Sequence, residues 1–222
     1  MHKVLITKEL SKEQEAIAHD YGLEVVQTPF IKVTLEYDTV QLPKADVWIV
    51  TSSNAARYLA VHFDSMQRDL HADKIIAIGE STANHLNHLG IPIEMPNYGT
   101  AENVVDLVKR LKPNSAVFFS GNLRSNVIPQ GLQDELDFYE FQVYQTELLD
   151  VDLDMSQFSA LAFFSPSGVK GFAQSNHVDG QKVVAVGTTT KQAVQDHLGV
   201  RARIAASPNV EDVLFALKED LG

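Results

Sequence analysis

The 222-residue chain contains no cysteine, and that one absence removes disulfides, thiolate metal sites and a cysteine nucleophile. No run approaches the ~20 apolar residues that a membrane-crossing helix needs, so no membrane is expected as a partner. Basic residues are few: 18 Lys and Arg stand against 29 Asp and Glu, a formal net charge of −11, with no Lys/Arg cluster. Nucleic-acid binders normally show a basic face, so no nucleic acid is expected either. A secretory signal would need a longer apolar region and a small-residue cleavage site, whereas Met1-His2-Lys3-Val4-Leu5-Ile6-Thr7 runs straight into a strand-like segment. These absences together point to the cytoplasm.

Familiar catalytic signatures are missing too. There is no Gly-x-Gly-x-x-Gly and no Gly-x-x-x-x-Gly-Lys-Ser/Thr, so neither a dinucleotide site nor a P-loop is indicated. No Gly-x-Ser-x-Gly elbow occurs, and Ser165 has no histidine partner that the sequence identifies. His85 and His88 are three apart, but no third ligand follows at metal-site spacing, and a solvated helix face explains them better. Glu13, Glu15, Asp134 and Glu135 read as solubilising helix surface. A phospho-receiver needs acids after its first strand and an Asp ending its third, and Thr7-Lys8-Glu9 and Thr51-Ser52 do not supply them. Nor is Lys8-Glu9-Leu10-Ser11 the hydroxyl/Gly phosphate loop of a flavodoxin. No strong acid–base or metal machinery is therefore found, and that absence constrains the mechanism.

What is present is a weak internal repeat with a period of roughly 110 residues. Lys74-Ile75-Ile76-Ala77-Ile78-Gly79-Glu80-Ser81-Thr82 corresponds to Lys182-Val183-Val184-Ala185-Val186-Gly187-Thr188-Thr189-Thr190. Both runs lead to a short helical segment closing on Leu-Gly, at Leu89-Gly90 and Leu198-Gly199. Val50-Thr51-Ser52-Ser53-Asn54 matches Phe163-Phe164-Ser165-Pro166-Ser167, and Val4-Leu5-Ile6-Thr7 matches Val117-Phe118-Phe119-Ser120. Met95-Pro96-Asn97 with a helix over 102–111 matches Ser207-Pro208-Asn209 with a helix over 210–221. In the last helix Val210, Val213, Leu214, Leu217 and Leu221 share one face. Short Val/Ile/Phe runs without alternation, interleaved with helices, predict parallel sheets covered on both faces. The fold class is α/β in two similar lobes. The simplest cut is 1–112 and 113–222, but 29–37 and 141–150 both look extended, at the places where the chain could cross between lobes.

In open α/β sheets ligands bind beyond the carboxyl ends of the strands. Here those ends read Thr51-Ser52-Ser53-Asn54, Gly79-Glu80-Ser81-Thr82, Ser120-Gly121-Asn122, Ser165-Pro166-Ser167-Gly168 and Gly187-Thr188-Thr189-Thr190. Small residues let a ligand approach the backbone, and helix starts offer unpaired N–H donors and a favourable dipole. Each turn alone also reads as a helix N-cap, worth ~1 kcal/mol in any protein. Five such ends facing one cleft would suit a carboxylate-rich ligand.

The order and spacing of these segments resemble the uroporphyrinogen-III synthase family over nearly the whole chain. The resemblance rests most on Phe163-Phe164-Ser165-Pro166-Ser167-Gly168, Val143-Tyr144-Gln145-Thr146, Ser120-Gly121-Asn122-Leu123-Arg124 with Ile128-Pro129, and Ala185-Val186-Gly187-Thr188-Thr189-Thr190. It implies two flavodoxin-like parallel-sheet lobes joined by a two-stranded ladder. Residues 1–34 and 149–222 would form one lobe, 38–142 the other, and 29–37 and 141–150 the ladder. It implies a cofactor-free lyase, acting as a monomer, that closes the linear tetrapyrrole hydroxymethylbilane to uroporphyrinogen III. Water is lost and the last pyrrole ring inverts through a spiro intermediate. Tyr144 would donate a proton to, or orient, the departing hydroxyl. Thr82, Thr189 and Thr190 would bind acetate or propionate arms, as would Ser52, Ser165, Ser167 and Asn122. Arg57, Lys170, Arg124 and Lys191 would add positive charge. Two departures stand out: Thr188 replaces a proline common in the family, and Glu80 places a carboxylate beside an anion site. The alternative is a non-catalytic bilobal protein that binds another small polyanion.

Overall fold

The computed structural model describes residues 1–36, 44–66 and 72–222; Tyr37, expected at the end of an extended segment, lies outside them. The first copy of the repeat contributes β1 (His2–Ile6), α1 (Lys12–Asp20), β2 (Leu23–Gln27), β3 (Ile31–Leu35), β4 (Val47–Val50), α2 (Ser53–Met66), β5 (Lys74–Ala77), α3 (Glu80–Leu86), β6 (Ile93–Glu94) and α4 (Ala101–Leu111). The second contributes β7 (Ser115–Gly121), α5 (Val127–Leu132), β8 (Asp137–Leu148), β9 (Ala160–Phe163), α6 (Pro166–Phe172), β10 (Lys182–Ala185), α7 (Thr188–Leu198), β11 (Arg203–Ile204) and α8 (Val210–Leu221).

The chain forms two compact units, one of Met1–Lys32 with Glu147–Gly222 and one of Val33–Thr146. Neither follows a cut at 112/113. The first contains a five-stranded parallel sheet in the order β11-β10-β9-β1-β2. Read from the other edge, this is the flavodoxin-like order. The second sheet runs β3-β8-β7-β4-β5-β6. Under the repeat correspondence, β8-β7-β4-β5-β6 is the same order as β2-β1-β9-β10-β11. Each sheet thus takes its first two equivalent strands from one copy and its last three from the other.

Burial explains the lack of alternation in the strands. Every residue of β4 and of β9 is buried, because helices cover both faces. In the first unit Phe172 packs edge-on against both Phe30 and Phe163, with centroids 5.3 and 5.2 Å apart. Gly171 lets α6 close onto this cluster, since a methyl there would lie 2.1 Å from the Phe30 carbonyl oxygen. Val210, Val213, Leu214 and Leu217 of α8 are buried as their spacing predicts, and Leu221 packs beside them. In the second unit Trp48 meets Phe119 edge-on at 5.3 Å.

The extended segments resolve differently in the two copies. In the first, β2 and β3 are separate strands on either side of Thr28-Pro29-Phe30. In the second, the 12-residue β8 spans the corresponding length without a break. β3 lies on the outer edge of β8. The Glu36 N–H donates to the Val143 carbonyl at 2.9 Å and the Leu149 N–H to the Phe30 carbonyl at 2.9 Å. As one residue number rises the other falls, so this pair is antiparallel. Among the described residues, no helix is long and apolar enough to cross a membrane.

Candidate active site

Strand register places the hydroxylated turns of each unit along one sheet edge. In the second unit Val50 pairs with Ala77 and with Phe119, so the turns after β4, β5 and β7 emerge side by side at the carboxyl edge. In the first unit Ala185 pairs with Phe163, which puts the Ser165 turn beside the Gly187 turn.

Hydrogen bonding then divides the candidates into two groups. Ser52 and Ser165 are helix caps. The Ser52 hydroxyl oxygen accepts the Asn54 N–H at 3.1 Å, and that of Ser165 accepts the Gly168 N–H at 3.0 Å. A cap uses an oxygen lone pair and leaves the hydroxyl proton to donate elsewhere. Ser167 lies within hydrogen-bond reach of Ser165, 3.2 Å between hydroxyls. The two turns that open with glycine are built otherwise: Gly79 precedes α3 and Gly187 precedes α7, and no side chain caps either helix. The first-turn N–H groups of α7 have no intrahelical partner. Thr190 sits in that turn, almost fully buried, and its hydroxyl makes no hydrogen bond among the described residues; Thr189 is exposed. In α3, buried Thr82 approaches the Ser53 hydroxyl at 3.3 Å, and Ser53 also reaches Ser81 at 3.3 Å. Ser53, which ties the first turn of α2 to that of α3, is not among the binding residues that the resemblance implies. Its match to the proline of the other copy, Pro166, was the available signal.

Tyr144 lies at the same carboxyl edge. It pairs with Gly121, the last residue of β7, after a register shift between Ser120 and Gly121. The ring lies flat on the glycine: a methyl at Gly121 would be 2.3 Å from Cζ, 2.4 Å from Cε2 and 2.7 Å from the hydroxyl oxygen. The ring also packs against the core that includes Trp48 and Phe119. Its hydroxyl makes no hydrogen bond among the described residues.

Asn122 is engaged by the fold. Its side-chain carbonyl accepts the Thr146 N–H at 2.7 Å, and its amide donates to the Thr146 carbonyl at 3.0 Å. Arg124 is engaged as well, donating through Nε to Glu140 at 2.6 Å and through a terminal nitrogen at 2.9 Å. Partial burial alone would raise the Glu140 carboxyl. Hydrogen bonds from Arg124 and Ser120, and the charge of Arg124, outweigh that and hold it below the usual range. Arg57, Lys170 and Lys191 are exposed and form no ion pair among the described residues. Glu80 is exposed at the first position of α3. The His85 Nδ1–H donates to the Ser81 carbonyl at 2.7 Å, and no group of three or more His, Asp or Glu side chains among the described residues could hold a metal. A cavity of about 650 Å³ lies in the first unit, lined by Ser159 and Gln181 just before β9 and β10. That is the amino-terminal edge of the sheet, opposite the hydroxylated turns.

The comparisons with known proteins converge. A protein of Archaeoglobus fulgidus that carries the provisional name uroporphyrinogen-III synthase is 28% identical, over 97% of this chain and 98% of its own. A mutant uroporphyrinogen III synthase of Thermus thermophilus shares the fold with a TM-score of 0.76 at 17% identity, covering 100% of this chain and 99% of its own. Uroporphyrinogen-III synthetase of Helicobacter pylori does so with a TM-score of 0.60 at 16% identity, covering all of both chains. The family model for uroporphyrinogen-III synthase HemD matches residues 12–214, and the chain belongs to the uroporphyrinogen-III synthase family.

Proposed function

We propose that the chain catalyses the closure of hydroxymethylbilane to uroporphyrinogen III with loss of water and inversion of the last pyrrole ring, a lyase reaction, with Tyr144 serving the departing hydroxyl. Family membership across residues 12–214 supports the reaction. The observation that carries the role of Tyr144 is its phenol, seated on Gly121 at the strand edge where ligands of open α/β sheets bind.

The chemistry asks little of the protein beyond placement. The hydroxyl takes a proton from the Tyr144 phenol and leaves as water, while the pyrrole nitrogen lone pair stabilises the exocyclic carbon left electron-poor. A phenol carries its proton at neutral pH and can donate it. Attack by the substituted carbon of the last ring gives the spiro intermediate. Reopening and reclosure at the other carbon invert that ring, and the proton finally lost restores the phenol. The uncatalysed linear substrate closes without inversion, so the enzyme must bias geometry, and positioning can contribute ~7–11 kcal/mol. Thr82, Thr189 and Thr190, with the uncapped N–H groups of the Gly187 turn, would hold acetate or propionate arms. They would do so with hydrogen bonds and helix dipole, not with net positive charge.

Fresh hydroxymethylbilane mixed with the protein, oxidised and separated by isomer, should give mainly type III porphyrin. Type I product alone, at the rate without protein, would leave only the non-catalytic anion-binding alternative. Tyr144→Phe should slow type III formation 10²–10⁴-fold, the usual contribution of a positioned proton donor, and a rate equal to wild type would remove the hydroxyl from the mechanism.

A further inference from the structure

We propose that Gly121 and Asn122 are positioning residues whose function is to set the Tyr144 phenol, a reading that rests on the role given to Tyr144 above. Three features of β7 and β8 converge on that one side chain.

The first is the register. From Ser115 to Ser120, β7 pairs with β8 at a constant offset that would bring Gly121 opposite Val143. One extra residue in β8 instead brings Tyr144 there. A one-residue slip turns a side chain to the other face, and bulges are a common means of re-aiming a side chain beside a site. Val143 stays buried in the same core against which Tyr144 packs, so both side chains lie on one face. The second is the missing Cβ. The backbone of Gly121 does not have a positive φ, so glycine is not needed there for conformation. It is needed for space, because any side chain would overlap the phenol ring at 2.3–2.7 Å. The third is the Asn122 amide. Its two hydrogen bonds to the Thr146 backbone imitate a strand neighbour two residues beyond Tyr144, just past the end of β7. The Glu36 N–H holds the Val143 carbonyl on the near side. Tyr144 is therefore fixed from both sides along its strand, with a notch cut beneath its ring.

The test is a double-mutant cycle with an added spectroscopic readout. Carbon atoms in contact sit about 3.5–4.0 Å apart, against 2.3 Å here, so Gly121→Ala must lift the ring by roughly 1.2–1.7 Å, and even about 1 Å can cost on the order of 100-fold in rate. The expected result is a fall in kcat of that size with little change in KM, and a larger share of type I product. Because the defect acts through the hydroxyl, Gly121→Ala combined with Tyr144→Phe should be no slower than Tyr144→Phe alone. Asn122→Ala adds no bulk and guards against misfolding of the alanine at 121. It should show a smaller kcat loss that likewise vanishes in the Tyr144→Phe background. With 3-fluorotyrosine in all six tyrosine positions, the fluorine resonance missing from Tyr144→Phe identifies Tyr144. That signal should move in both Gly121→Ala and Asn122→Ala while the others stay. Wild-type kcat in both variants, full multiplication of the two defects, or an unmoved Tyr144 resonance would overturn the proposal. A wild-type rate in Tyr144→Phe would instead remove the reading beneath it, whatever position 121 does.

Discussion

At the scale of single residues, the side chains at the strand edges divide by what their polar atoms already hold. Arg124 illustrates the rule. Its charge looked available for a polyanion, yet the guanidinium grips Glu140 with two hydrogen bonds. Glu140 carries a consequence for acid stability. Its carboxyl is held below the usual range when folded, so it binds a proton at lower pH in the native than in the unfolded chain. The stabilisation is fully present above the ordinary glutamate value of about 4.3 and is lost as pH falls through the depressed folded value. Thermal unfolding between pH 5 and 3 should therefore show a shallower loss of Tm in Glu140→Gln than in wild type. Parallel curves would mean that the pair contributes nothing to acid sensitivity.

At the scale of helices and strands, the local pattern was informative about elements and poor about contacts. The continuous apolar runs placed the parallel strands, and the spacing of Val210, Val213, Leu214 and Leu217 located α8 and its buried face. Which hydroxyls are caps was not legible, because Ser and Thr before a helix look alike whether they bind backbone or ligand. Nor was the seat of Tyr144, since a one-residue shift between β7 and β8, which are separated by α5, leaves no local mark in either strand. The helix starts allow a paired prediction. Ser165→Ala removes a cap and should cost ~1 kcal/mol in denaturant unfolding, with the m-value unchanged. Thr190→Val removes a hydroxyl that holds nothing within the described protein; it should change stability by no more than about 1 kcal/mol, the net worth of one neutral hydrogen bond, and raise KM for hydroxymethylbilane severalfold. An unchanged KM would take Thr190 out of substrate binding.

At the scale of the whole molecule, the repeat near 110 residues was visible in the sequence, but it is not the unit of folding. A cut at 112/113 would give each fragment two strands of one sheet and the larger part of the other. By contrast, residues 33–146 hold nearly all of the six-stranded sheet and its core. The fragment 33–146 should show a cooperative thermal transition by circular dichroism, whereas 1–112 alone should not. A sharp transition in 1–112 would contradict the strand inventory.

That inventory also bears on ancestry. Let two identical half-length chains each lend their opening pair of strands to the other: both sheets then arise complete, in the order seen here, and the assembly is a symmetric homodimer. Head-to-tail fusion of its gene would join such a pair into one chain without breaking a single strand pairing. The two halves would afterwards be free to diverge, one acquiring the Gly121–Tyr144 seat while its counterpart kept only its hydroxylated turns.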